Sequence, residues 1–220
     1  EEIQNEIQNI LNAIEVLQKG GVLKSQIKLN LVEATISNDE IHFQVDDKKY
    51  VFEAIDLIPK LDELKEKMLS MEEKLKIKEE SGWSDEIVDQ IKSMEEYEIY
   101  KQADVHEKIV DGRPCLCKDI DMDLKYMDPK TGETQTNRER MADGKSPVDG
   151  KTGEKIELHH IGQNYDGPFI QLKENSEHGG VNHKILHDNK LESFRNDTSL
   201  KNHYNNVDRP NHWKAIAKGE

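Results

Sequence analysis

Five of the nine histidines of this 220-residue chain lie within the 29 residues from 159 to 187. The segment around them first alternates polar and apolar residues and then changes period. This predicts a strand over 155–160, a second strand over 168–172 and a helical segment over 181–188. A pair of histidines ends the first strand, and more follow on the helix. This strand, loop, strand, helix unit constrains the chain more than any other feature, because it brings several imidazoles onto neighbouring elements.

Imidazole chemistry suits this unit to metal-assisted hydrolysis. A neutral imidazole binds a divalent ion, and an imidazole outside the coordination shell can take a proton from water near neutral pH. Neighbouring strand residues point to opposite faces, so His159 and His160 can each take one of these roles. His183 and His187 share a helix face at a spacing of four, which favours them as ligands. Three protein ligands and a separate base would indicate catalysis, whereas four ligands would indicate a structural zinc site.

The two halves of the chain differ in charge. Residues 1–100 contain 12 lysines and arginines against 24 acidic residues, and residues 101–220 contain 19 against 21. An acidic half repels nucleic acid, so we expect any such binding in the second half. No apolar run approaches the roughly 18 residues of a membrane-spanning helix. The chain begins with Glu1 and has no signal peptide, so we expect it to be a fragment.

Periodicity predicts an α+β fold in two parts. Residues 1–104 form an acidic, mostly helical region with a helix over 2–18, a small antiparallel meander over 24–53, a helix over 54–79 and another beginning near Ser84. After residue 111 turn signals become frequent, and we place a boundary near residue 105. Residues 105–220 form the second domain. Its two cysteines, Cys115 and Cys117, would share one strand face and are interpreted as small buried thiols.

Several motifs in the second half resemble a known family. They are TNRERM at 136–141, IELHHIGQ at 156–163, Glu177-His178, Leu186-His187 and the terminal His212-Trp213. Together they resemble the LHH nucleases of the HNH/endonuclease VII superfamily, which occur as C-terminal domains of bacterial polymorphic toxins. The resemblance covers about residues 105–220. It implies a ββα-metal fold, and because many such toxins carry an N-terminal LXG secretion domain, residues 1–104 could connect that domain to the toxin.

The resemblance also implies residue roles. His159, His178 and His187 would bind a divalent metal ion (Zn, Mg or Mn), and His160 would be the general base. The family pattern favours His178 over His183 as a ligand, although helical spacing favours His183. Catalytic roles would extend to Glu177 and to Arg138. The guanidinium group of Arg138 suits a contact with phosphate. Further candidates are Asn175, Asn182, Gln163 and Arg140.

The expected function is a metal-dependent endonuclease toxin that hydrolyses phosphodiester bonds, with DNA favoured over RNA. By the same resemblance we expect secretion by bacteria, through a type VII system, and action in the target-cell cytoplasm. A cognate immunity protein is the expected partner. The alternative is a zinc-stabilised protein-binding module without catalysis, in which the histidines only hold a loop-rich segment together.

Overall fold

The computed structural model describes three strands within residues 32–53, residues 69–187 and residues 193–219. The three strands are β1 (Val32–Ser37), β2 (Glu40–Val45) and β3 (Lys48–Glu53). They pair antiparallel in the order β1-β2-β3. This confirms the antiparallel meander. The predicted helix over 2–18 and most of the helix over 54–79 lie outside the described residues.

From Met71 onward the described residues form one compact unit. It opens with three helices: α1 (Met71–Ser81), α2 (Asp85–Val88) and α3 (Met94–Gln102). The helix predicted to begin near Ser84 is therefore two helices. The chain breaks between them because the Ser93 side chain accepts the backbone N–H of Glu96 and starts a new helix. The Ser84 hydroxyl donates instead to Glu107, at 2.6 Å.

A four-stranded sheet forms the centre of this unit. Its strands are β4 (His106–Val110), β5 (Arg113–Cys117), β8 (Ile156–His160) and β9 (Phe169–Lys173), in the order β4-β5-β9-β8. β8 and β9 pair antiparallel and place His159 opposite Ile170, whereas β5 and β9 pair parallel. A small hairpin precedes β8 and consists of β6 (Lys125–Met127) and β7 (Thr134–Thr136).

Four further helices belong to this unit. They are α4 (Asn137–Ala142), α5 (Asn182–Leu186), α6 (Thr198–His203) and α7 (Arg209–Lys218). α4 packs on α7, and the largest fully buried side chain is that of Trp213 on α7. Its cluster includes both cysteines, which are free thiols, as the sequence predicts. The hairpin β8–β9 followed by α5 supplies the expected ββα order, and the mixed α+β class is confirmed.

The compact unit begins N-terminal to the predicted boundary between residues 104 and 105. That boundary stays a prediction of where a separable nuclease domain begins. No helix within the described ranges has both the length and the apolar character that a membrane crossing requires.

Candidate metal centre and catalytic site

Three histidines converge at the end of the β8–β9 hairpin. His159 comes from β8, His178 from the loop after β9 and His187 from the residue that ends α5. Each offers a ring nitrogen, and these nitrogens all lie within 4.8 Å of one another. The ring centroid of His159 is 5.1 Å from that of His178 and 4.8 Å from that of His187. The structure thus brings together the three residues that the family pattern predicts as ligands.

The ring nitrogens of this histidine group fit a metal ion. The Nε2 atoms of His159 and His178 are buried and have no hydrogen-bond partner among the described residues. Burying a polar nitrogen without a partner costs about 1–3 kcal/mol, so such atoms need another partner. A divalent ion bound between the three imidazoles would supply it.

Hydrogen bonds orient two of the three rings. The Nδ1 atom of His178 lies 2.7 Å from a carboxylate oxygen of Glu157, and Nδ1 of His187 lies 3.2 Å from the carbonyl oxygen of His183. Either contact leaves Nε2 of the same ring for a metal ion. Carboxylates and carbonyls that hold the second nitrogen of a histidine ligand fix its tautomer and direction.

Burial favours the neutral form of His159 and His187. It lowers the pKa of His159 well below its usual range, and the neighbouring His178 and His187 add to the lowering. Burial also lowers the pKa of His187 to about 4, again with help from His178. The hydrogen bond from His178 lowers the pKa of the Glu157 carboxyl, which favours its charged form. Neutral imidazole is the form that binds a metal, so burial favours the ligand form of His159 and His187.

His160 has different neighbours from those of His159. Its ring is 5% exposed and packs within 4.8–5.4 Å, between ring centroids, of four aromatic side chains: Phe169, Phe194, Tyr204 and Tyr165. Burial lowers the pKa of His160 to about 3, and Arg113 and Arg195 add to the lowering. The two neighbouring histidines therefore occupy different environments, as expected for opposite strand faces.

Two arginines flank the aromatic rings around His160. The guanidinium of Arg113 lies 4.3 Å from the ring centroid of Phe169. That of Arg195 lies 5.4 Å from the Phe194 ring and 5.9 Å from the Tyr204 ring. Arg195 is exposed, and no carboxylate within the described ranges pairs with it. Its charge lowers the pKa of both His160 and His187, so its electrostatic influence reaches both histidine environments.

The predicted arginines lie on α4. Arg138 is exposed there, and its backbone N–H donates to the carbonyl oxygen of Met122 at 3.0 Å. Arg140 is 5% exposed, donates to the carbonyl of Ser146 at 3.0 Å and stacks on Tyr126. These contacts give Arg140 a place in the packing of this helix and do not support a phosphate contact. The role predicted for Arg138 stays a prediction.

The other predicted residues hold the loop that carries His178. The Lys118 ammonium lies 2.9 Å from the Glu177 carboxylate. The backbone N–H of Lys173 donates to the same carboxylate at 2.7 Å. The amide of Asn182 donates to the carbonyl of Glu177 at 2.9 Å. Asn175 is exposed, and its backbone N–H donates to Glu154. Glu177 and Asn182 thus support His178 through the backbone.

The remaining candidates are His183 and Gln163. His183 is exposed and stacks on His187 at 4.3 Å between ring centroids, but it lies outside the group of three. Its spacing of four from His187 therefore produces a stacked pair of rings. The side-chain oxygen of Gln163 accepts a hydrogen bond from the Lys92 ammonium, so this residue links the loop after His160 to the helical region before the sheet.

Sequence reasoning missed Glu157 and Arg195. For Glu157 a signal was present, because it lies two residues before His159 and shares that strand face. Arg195 lies between the motifs at 186–187 and 212–213, and no periodic pattern indicates a role for it. Its relation to His160 depends on the packing of Phe194 and Tyr204, which the sequence does not specify.

Comparison with known families adds to this geometry. Residues 136–219 match the model of a family described as LHH, a nuclease of the HNH/ENDO VII superfamily with conserved LHH. The matched segment contains all three histidines of the group, His160 and Arg195. No solved structure matches the chain.

Proposed function

We propose that this chain is a metal-dependent endonuclease, because residues 136–219 match the model of the LHH nucleases of the HNH/ENDO VII superfamily. The observation that carries the proposal is the convergence of His159, His178 and His187 beside a fourth histidine in separate surroundings. The Nε2 atoms of His159 and His178 are buried and have no hydrogen-bond partner among the described residues. Three protein ligands leave a coordination position open, and His160 is the separate base. This is the arrangement that distinguishes catalysis from a closed structural site.

The proposed mechanism assigns one task to each group. A divalent ion held by the three histidines would stabilise the negative charge that develops on the phosphate. We assign the general-base role to His160, which would take a proton from the attacking water. Arg195 is the candidate for binding the phosphodiester, because its side chain is exposed and its guanidinium lies over two rings that also contact His160. Zinc, magnesium and manganese are the candidate ions.

We propose DNA as the favoured substrate, with RNA as the alternative. The near-neutral charge of residues 101–220 supports binding through a few local arginines and the ion, because the net charge of this half provides little long-range attraction. Such binding would follow the backbone and show little sequence preference.

The biological setting is a further part of the proposal. The resemblance to polymorphic-toxin nucleases supports an effector secreted by a bacterial type VII system that acts in the cytoplasm of a target cell. A nuclease of this kind threatens the producing cell, which supports a cognate immunity protein as partner. Co-expression of a candidate neighbouring gene that restores growth to cells making the chain would test this.

A zinc-stabilised binding module is the second candidate function. It is favoured by the position of His183, whose ring lies 4.3 Å from that of His187 and 6.3 Å from that of His178, between centroids. A rotation of this exposed side chain would make it a fourth ligand and close the site.

Incubation with supercoiled plasmid and with total RNA separates the two candidates. Each substrate is tested with zinc, magnesium or manganese and with excess chelator. We expect metal-dependent nicking of the plasmid that the chelator abolishes. If no ion supports cleavage of either substrate while zinc binds with four protein ligands, the binding module takes precedence.

A further inference from the structure

A buried carboxylate outside the matched family segment holds the loop that follows the histidine pair. Glu96 on α3 is 1% exposed. One of its oxygens accepts the backbone N–H of Gly162 at 2.9 Å and the hydroxyl of Tyr100 at 2.6 Å. The other accepts the backbone N–H of Lys92 at 2.8 Å. These bonds join the segment between α2 and α3 to the loop two residues after His160.

The same loop has further close contacts with this segment. Gly162 has a φ of +64°, and a Cβ placed on it would lie 2.0 Å from the carbonyl oxygen of Gln90. The side-chain amide of Asn164 donates to Gln90 at 2.9 Å, and the Lys92 ammonium donates to Gln163. Only glycine allows the backbone to approach so closely in the left-handed region. The Gly162-Gln163 pair next to the two histidines is therefore explained by docking against the helical segment.

This contact lies directly after the strand that carries the histidine pair. The ladder between β8 and β9 ends at His160, opposite Phe169. Beyond it the backbone N–H of Ile161 bonds the carbonyl of Pro168 at 3.0 Å, and the next N–H, that of Gly162, bonds Glu96. The carboxylate therefore restrains the backbone at the point where the histidine pair leaves the sheet.

We propose that Glu96 is a positioning residue for His159 and His160. Its carboxylate fixes the 161–164 loop, and through it the direction of both imidazoles, so the working site includes residues before the matched segment. Only the expected effect of Glu96 on cleavage rests on the proposed function. A fixed backbone restricts the imidazoles to the geometry that ligation and proton transfer require.

The test compares Glu96→Gln with Glu80→Gln in the full chain. Glu80 is a suitable control because it also accepts a hydrogen bond from a tyrosine, Tyr97 at 3.0 Å, and none of its described contacts involves the loop. In Glu96→Gln the side chain keeps its shape but has one acceptor oxygen in place of two, so it can no longer accept from both Gly162 and Lys92. We expect faster amide hydrogen exchange at 161–164, a cobalt(II) affinity lower by about 10-fold and a similar loss of kcat with little change in KM. Glu80→Gln should leave all three unchanged.

The cobalt measurement keeps the inference independent of nuclease activity, because the visible spectrum of the ion reports its histidine ligands even if the wild type cleaves nothing. Unchanged exchange at 161–164 in Glu96→Gln would overturn the inference. Faster exchange with wild-type cobalt affinity and wild-type kcat per folded molecule would also overturn it, because the loop would then be anchored without positioning the histidines. Glu96→Ala, which removes both acceptor oxygens, is the second variant, and where it does not fold the glutamine variant decides.

Discussion

The Nδ1 atom of His178 lies 2.7 Å from a carboxylate oxygen of Glu157, whose strand neighbour two residues on is His159. One strand face thus carries a candidate ligand and the carboxylate that orients a second candidate ligand. This arrangement links the direction of His178 to the register of β8. Any slip of the strand by one residue would remove both groups from the site together.

Replacement of Glu157 should weaken metal binding. We expect Glu157→Gln to lower the affinity for zinc by about 10–100-fold, because His178 loses the carboxylate that fixes its ring. Titration calorimetry measures the affinity. Glu174→Gln, an equal change of charge at an exposed position in the next loop, should bind zinc as the wild type does. Equal affinities for the two variants would contradict the orienting role.

The neighbouring histidines should respond differently to truncation. His160→Ala should keep its bound metal and lose about 10²–10⁴-fold in cleavage rate, because it removes only the base. His159→Ala should lose metal and activity together. The measurement is the plasmid nicking rate beside metal stoichiometry for both variants. Cleavage by His160→Ala at the wild-type rate, or loss of its metal, would exclude His160 as the base.

His178 and His183 offer a choice between two spacings. We expect His178→Ala to weaken zinc binding more than His183→Ala, because only His178 belongs to the group of three. Calorimetry on the two variants under the same buffer decides between them. A larger loss for His183→Ala would favour the pair on α5 and a four-ligand structural site.

Arg195 and Arg138 compete for the phosphate contact. Arg195→Ala should weaken DNA binding and reduce the slope of log K against log salt by about 1, as expected for one lost phosphate contact. Fluorescence anisotropy with chelator present measures binding without cleavage. Arg138→Ala provides the comparison, since Arg138 is also an exposed arginine. A greater effect at Arg138 would restore the assignment made from the TNRERM motif.

The buried His212 should make the metal-free fold sensitive to acid. Burial lowers the pKa of His212 to about 3, and Arg113 adds to the lowering. An unfolded histidine has a pKa near 6.5, so the unfolded chain binds the proton first and stability falls as pH decreases from about 6.5 towards 3.

His212→Gln should remove that part of the loss, which is on the order of a few kcal/mol at the acid end. Chemical denaturation of the metal-free protein at a series of pH values measures it, with His106→Gln, at a half-buried position on β4, as the comparison. If the His212→Gln curve falls with acid as steeply as that of the wild type, the buried imidazole does not contribute.

Sequence patterns predicted the parts of the site that are formed by residues close together in the chain. The alternation before His159 and the helical spacing before His187 placed the hairpin and α5 correctly, so the ligand candidates converge. The aromatic surroundings of His160 were not predictable in this way, because Phe194 and Tyr204 come from later segments with no shared period. The contact between Glu96 and Gly162 joins residues far apart in the chain, and a single acidic residue on a helix gives no signal of burial.

The close spacing of the candidate ligands has a consequence for folding order. All three lie within residues 159–187, on β8, in the loop after β9 and directly after α5. The parallel pairing of β5 and β9, in contrast, joins Cys115 to Phe169. Local contacts form sooner than distant ones, because shorter loops cost less conformational entropy to close. We therefore expect the hairpin, α5 and a captured ion to form an early nucleus, onto which β5 and the preceding helices condense. An ion present during refolding would then accelerate the first phase, and one added afterwards would not.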